Sequence, residues 1–81
     1  MNQTYIATFH THLAALRTCR SLTAQGIAAQ MTPVPRALSS SCGTCVRYTA
    51  PHPFSQFMDG DTEAIYLAEG ERYVLLHSLC S

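Results

Sequence analysis

Four prolines fall in two pairs, Pro33 with Pro35 and Pro51 with Pro53, and these pairs most limit what the chain can fold into. Proline has no amide hydrogen and a fixed φ, so neither pair can lie within a helix or a central strand. A chain of only 81 residues is thereby divided into pieces that each hold one or two elements. It makes one domain, near the lower size at which a single core suffices. Hydrophobic residues form 47% of it and charged residues 12%, enough apolar material for a core but little for a wide solvated face.

Before the first proline pair, Thr4 to His10 alternates and is rich in β-branched and aromatic residues, which suits a strand with Tyr5 and Phe9 facing away from Ile6. Thr11 or His12 then opens a helix that runs through Gln25. Leu13, Leu16, Cys19 (or Arg20) and Leu22 stand near helical spacing, with Ala14, Ala15 and Ala24 adding propensity. Thr11 is placed to cap the helix start, and Gly26 to adopt the left-handed conformation past its end. Ile27 to Thr32 reads as a second strand. Thr44 to Thr49 reads as a third, with Val46 and Tyr48 on one face and Cys45 and Arg47 on the other.

Beyond Pro53, residues 61–70 offer an N-cap at Asp61, an acid in the first turn at Glu63 and a glycine stop at Gly70, which together predict a short helix. The competing reading is a hairpin pairing Ile65–Ala68 with Tyr73–Leu76 across Glu69-Gly70-Glu71. Arg72 to Leu79 is a last strand. Taking the helix, the order is βαββαβ, an α+β ferredoxin-like sandwich with a four-stranded antiparallel sheet and helices on one face. In that topology the first and second strands run parallel with the third inserted between them. His10, His12, the turn Pro33 to Arg36 and Cys42 then converge on one sheet end, where the first helix also begins.

Five arginines balance five acids and there is no lysine. A neutral chain without a basic run lacks the electrostatic footprint for nucleic acid or an anionic membrane. The apolar stretches are too short to span a bilayer, and Met1-Asn2-Gln3-Thr4 carries no secretory signal. The four cysteines are therefore read as those of a reducing, cytoplasmic protein rather than a disulfide scaffold. A zinc site wants four ligands, and the one Cys-x-x-Cys, Cys42 to Cys45, has no second pair; no metal or other cofactor is expected.

Chemistry concentrates in Ser39-Ser40-Ser41-Cys42-Gly43-Thr44-Cys45-Val46-Arg47. A cysteine reacts as its thiolate, which cations and hydrogen-bond donors favour. Arg36 and Arg47 flank Cys42, Ser40 and Ser41 supply donors, Gly43 lets backbone approach closely, and His12 offers a proton-transfer group. With no Gly-x-Ser-x-Gly and no partner base, the serines read as turn residues cradling Cys42 or an anion, not as a nucleophile. Cys45 is either a packed residue or a resolving thiol. On an extended segment its Cα would lie roughly 10 Å from that of Cys42, beyond the about 7 Å that a disulfide allows.

Thr11-His12-Leu13-Ala14, Pro33-Val34-Pro35-Arg36, Ser40-Ser41-Cys42-Gly43 and Arg47-Tyr48 together resemble the Se/S carrier protein-like family of small bacterial proteins, over residues 5 to 48. The resemblance implies a carrier of sulfane sulfur or selenium on Cys42, supported by His12 and Arg36. Such a carrier would be loaded by a donor protein such as a cysteine desulfurase and unloaded by an acceptor protein. It would turn over nothing alone. The runner-up is a thiol–disulfide redox protein or sensor using Cys42 with Cys45, and a third reading is an interaction module with structural cysteines only. Exposed edge strands of a small sheet also suit a homodimer.

Overall fold

A computed structural model of the chain describes residues 2–40 and 42–78. Strand β1 (Gln3–Phe9) leads into helix α1 (His12–Ala24), followed by β2 (Ala28–Pro33) and β3 (Thr44–Ala50). A single 3-10 turn (Ser55–Phe57) precedes β4 (Thr62–Glu69) and β5 (Arg72–Ser78). The strands form one sheet in the order β2-β3-β1-β4-β5, and every neighbouring pair is antiparallel.

The first half matches the expected topology. Thr11 Oγ1 accepts a hydrogen bond from Ala14 N at 3.1 Å, capping α1. At the other end Gly26 N donates to Thr23 O and Ile27 N to Leu22 O, both at 3.0 Å, with Gly26 at φ 79°. That pair of hydrogen bonds is the Schellman arrangement, which needs the left-handed conformation glycine adopts without strain. The helix returns the chain to β2, parallel to β1, and β3 then fills the gap between them.

The buried side of α1 is built from Ala14, Ala15, Thr18 and Leu22. Leu13, expected from its spacing to lie with Leu16, Cys19 and Leu22, is 51% exposed, because the face turned to the sheet is the one carrying Ala14, Ala15 and Thr18. Small side chains toward the sheet let the helix axis sit close, and Leu22 fills the deeper gap. Facing them are Tyr5, Ala7 and Phe9 of β1, Val46, Tyr48 and Ala50 of β3, and Ile65 of β4. Tyr5 and Tyr48, cross-strand partners, stack with ring centroids 5.4 Å apart. Burying a side chain such as Phe9 or Leu22 contributes about 1.5–3 kcal/mol. Ile6, on the sheet face away from α1, is also fully buried, flanked by its register partners Arg47 and Tyr66.

The second half corrects the sequence expectation. Residues 61–70 do not form a helix: Thr62–Glu69 is strand β4, and it pairs with β1 on one side and β5 on the other. The sheet therefore has five strands rather than four, and α1 is the sole α-helix among the described residues. The hairpin wins because Thr62, Ile65 and Tyr66 fit a pleated surface with partners on both edges, outweighing the local capping signals. Asp59, not Asp61, organises the start of β4: its Oδ1 accepts from Asp61 N at 3.0 Å and its carbonyl from Thr62 N at 3.1 Å. Gly70, read as a helix stop, sits at φ 62° in the β4–β5 turn.

Strands β3 and β4 run parallel on either side of β1, so residues 51–61 must cross over it. They do so beside α1, where Asp59 N donates to Thr18 Oγ1 at 3.1 Å and Phe54, Phe57 and Met58 pack on the core. A crossover without a helix thus stands where the ferredoxin-like plan has its second helix. On the outer edge, β5 leaves Val74, Leu75 and Leu76 exposed. No helix among the described residues is long and apolar enough to cross a membrane.

Candidate functional site

The C-terminal ends of β1 and β2 and the starts of β3 and β4 lie at one end of the sheet, where α1 also begins. Residues 34–43 connect β2 to β3 there. The ladder continues into this loop through Val34 N, which donates to Gly43 O at 3.1 Å. Leu38 N donates to Pro35 O at 3.0 Å, closing a turn with Arg36 and Ala37 at its exposed tip. Gly43 takes φ 73°, and a Cβ there would meet nothing within 4 Å. Its requirement is therefore conformational and not a matter of space.

Cys42 is half-buried at the base of the loop, packed against the core on the α1 side. Its Sγ donates to Thr44 O at 3.3 Å. The exposed His12, first residue of α1, places Nδ1 3.5 Å from Thr44 Oγ1. Thr44 is thus the residue at which the cysteine loop and the helix start meet. Ser40, two residues before Cys42, lies with its Oγ 2.8 Å from Phe9 O and 2.9 Å from Glu63 Oε1. The other carboxylate oxygen of Glu63 is 3.4 Å from His10 Nδ1.

Cys45 differs in burial and in the face it occupies. It is fully buried, on the sheet face away from α1, with Sγ 3.2 Å from Thr32 Oγ1 and donating to Pro33 O at 3.7 Å. Burial pushes its thiol above the ordinary value of 9.0; the Thr32 hydrogen bond and the charge of Arg47 pull it partway back, and the nearness of Cys42 raises it. Cys19, Cys42 and Cys45 are all free thiols.

Of the residues singled out from sequence, Cys42, His12, Ser40 and Gly43 are gathered at this end of the sheet. Arg36 is exposed at the loop tip and forms no hydrogen bond or ion pair among the described residues. Arg47 is exposed on the far face of the sheet, where its charge acts on Cys45. Ser41 lies outside the described residues. Glu63 and Thr44 are additional contacts of the site. Glu63 was hidden because it was assigned to the first turn of a helix, which would have aimed it elsewhere. His10 had the composition of an ordinary strand-end residue until β4 brought Glu63 beside it.

Among the described residues no group of three or more His, Cys, Asp or Glu could hold a metal ion. Neither of two surface clefts among the described residues is lined by Cys42. One of about 630 Å³ lies between α1 and residues 56–60, and one of about 390 Å³ lies beside β2.

The family model described as "Putative Se/S carrier protein-like" matches residues 4–53. The chain belongs to this family. The Se/S carrier-like match takes in β1, α1, β2, the Cys42 loop and β3, and so includes His12, Arg36, Cys42 and Cys45, while Glu63 falls beyond it. The chain is also 30% identical over 64 residues to the uncharacterized protein YtiA of Escherichia coli (strain K12), an alignment covering 76% of this chain and 75% of the relative. No solved structure matches this Se/S carrier-like chain.

Proposed function

We propose that this member of the Se/S carrier-like family carries sulfane sulfur or selenium on Cys42, as a persulfide or selenopersulfide. The observation that carries the reading is the contrast within Cys42-Gly43-Thr44-Cys45. The first thiol is part-exposed on a loop, between Ser40 and the left-handed Gly43; the second is sealed beneath the sheet surface.

In the loading step the Cys42 thiolate attacks the terminal sulfur of a donor persulfide, R–S–SH. A new S–S bond forms to Cys42, the donor S–S bond breaks, and R–S⁻ leaves, so no external oxidant or reductant is needed. Attack by an acceptor thiolate on the same terminal sulfur regenerates the Cys42 thiolate. Because the thiol donates to Thr44 O, Sγ turns away from that carbonyl to become a nucleophile. His12, whose ring meets Thr44 from the helix start, would act as the proton donor in sulfur release. Arg36 at the exposed loop tip would meet the anionic donor or acceptor. Donor and acceptor are proteins, the donor of the cysteine desulfurase type, and the setting is a reducing cytoplasm. The burial and raised pKa of Cys45 weigh against its use as a resolving thiol.

Intact-mass measurement after incubation with a cysteine desulfurase and cysteine tests this. The expected result is a gain of one sulfur that is lost in Cys42→Ser and kept in Cys45→Ser. A loss of two hydrogens requiring both Cys42 and Cys45 would instead establish the dithiol redox alternative. An unchanged mass in a folded protein would leave an interaction module. Native mass of the same samples reads whether two copies associate through a free sheet edge.

A further inference from the structure

We propose that Glu63, bridging Ser40 and His10, is a positioning residue that latches the Cys42 loop onto the end of β1. Its biological meaning rests on the carrier reading, but its geometry does not. The loop that presents Cys42 is fixed on both sides of the sulfur. After it, Val34 N and Gly43 O extend the β2–β3 ladder. Before it, the one hydroxyl proton of Ser40 is shared between Phe9 O at 2.8 Å and Glu63 Oε1 at 2.9 Å.

Glu63 reaches this point from β4, the strand on the far side of β1, so β1 and β4 both hold the loop that joins β2 to β3. Its side chain is 20% exposed, and His10 Nδ1 stands 3.4 Å from the second oxygen. A hydrogen bond to a part-buried carboxylate is stronger than one between neutral groups. The latch therefore acts on Cys42 through Ser40 and not by touching sulfur. Closed, it keeps Sγ against Thr44 O; open, it lets the loop carry Sγ outward to a donor or acceptor.

Site-resolved alkylation of the reduced full chain by iodoacetamide, followed by mass spectrometry, tests the latch, with Cys19 on α1 as internal reference. Ser40→Ala and Glu63→Ala are each expected to speed alkylation of Cys42 by about tenfold, the factor for losing one charge-assisted hydrogen bond. The double variant should react no faster than the faster single, because the two residues act as one unit. Glu63→Gln, which keeps an acceptor without charge, should fall between. Cys19 should change by less than about twofold, within the scatter of independent sites.

Circular dichroism establishes that each variant is folded; should Glu63→Ala unfold, Ser40→Ala decides alone. An unchanged Cys42 rate in folded Ser40→Ala, or Cys19 and Cys42 accelerating together, would overturn the latch. Alkylation asks nothing of sulfur transfer. Failure to load sulfur on Cys42 would thus sink the carrier reading while leaving this result intact.

Discussion

The two connections that cross the sheet make an instructive pair. Between β1 and β2 the chain forms a capped helix with its small residues against the strands. Between β3 and β4, on the same face, it forms a loop with one 3-10 turn that packs Phe54, Phe57 and Met58 on the core. The first connection carries its own hydrogen bonds and closes both ends. The second begins with Pro51 and Pro53, has only the short bonds of its 3-10 turn and of Asp59 to itself, and takes its longer-range bonds from neighbours. Tyr48 OH donates to Pro53 O at its start, and Thr18 Oγ1 receives Asp59 N near its end. One crossover is self-supporting, and the other is held from outside by the first crossover and by β3.

The largest effect should come from emptying the self-supporting crossover. Leu22 is fully buried, and Leu22→Ala should cost about 3 kcal/mol, read as a lowered midpoint in urea unfolding. Next comes the tie between the crossovers. Thr18→Val keeps the shape but leaves Asp59 N without its acceptor, for an expected loss of about 1.5 kcal/mol. If that loss is absent, the second crossover stands by itself and the comparison fails.

Tyr48→Phe should cost about 1 kcal/mol by freeing Pro53 O at the half-exposed start of the loop. It should also change the alkaline limb. Burial, with a smaller contribution from Tyr5, holds the Tyr48 hydroxyl well above its ordinary value of 10.0, and burial raises the Cys45 thiol above 9.0. Both groups stay protonated in the fold while the unfolded chain ionises. Their stabilisation is therefore complete below about pH 9 and is lost progressively as pH rises through and beyond 10. Urea midpoints at about pH 8 and about pH 11 should fall for the unaltered protein and fall less for Tyr48→Phe. The smallest effect belongs to Arg17→Ala. Its ion pair with Asp59 spans 3.9 Å with Arg17 64% exposed, so less than about 0.5 kcal/mol should be lost.

How much of this was legible beforehand follows the same division. Helix α1 announced itself through Thr11, the alanines and Gly26, because a self-contained element writes its start, period and stop into adjacent residues. The insertion of β3 between β1 and β2 followed from the ferredoxin-like plan, and its two faces from the alternation of Val46 and Tyr48 with Cys45 and Arg47. The nature of 61–70 did not follow. Asp61, Glu63 and Gly70 are good local helix signals, and what defeats them is pairing with β1 and β5, which no window of neighbouring residues contains.

The site divides likewise. Cys42, Gly43, Ser40 and His12 were legible because their residue types and spacing carry chemistry. Arg36 and Arg47 flank Cys42 in sequence, yet the strand alternation sends Arg47 to the opposite face. Glu63 could be found only once β4 was known to lie along β1. The family match, ending at residue 53, stops short of it as well.

The order of the strands also sets a timetable for folding. Ala7 touches Val46 on one flank and Ile65 on the other, so the middle of the sheet is its earliest segment and waits for chain made much later. Until those distant segments arrive, Phe9 has only α1 to shelter it, and Ile6, on the opposite face, is left open. Pairings of such long sequence separation close slowly, on the millisecond-to-second scale of non-local β topologies and not the microseconds of a helical bundle. Nucleation by β1 with α1, followed by recruitment of each flanking hairpin, is the route that this arrangement favours.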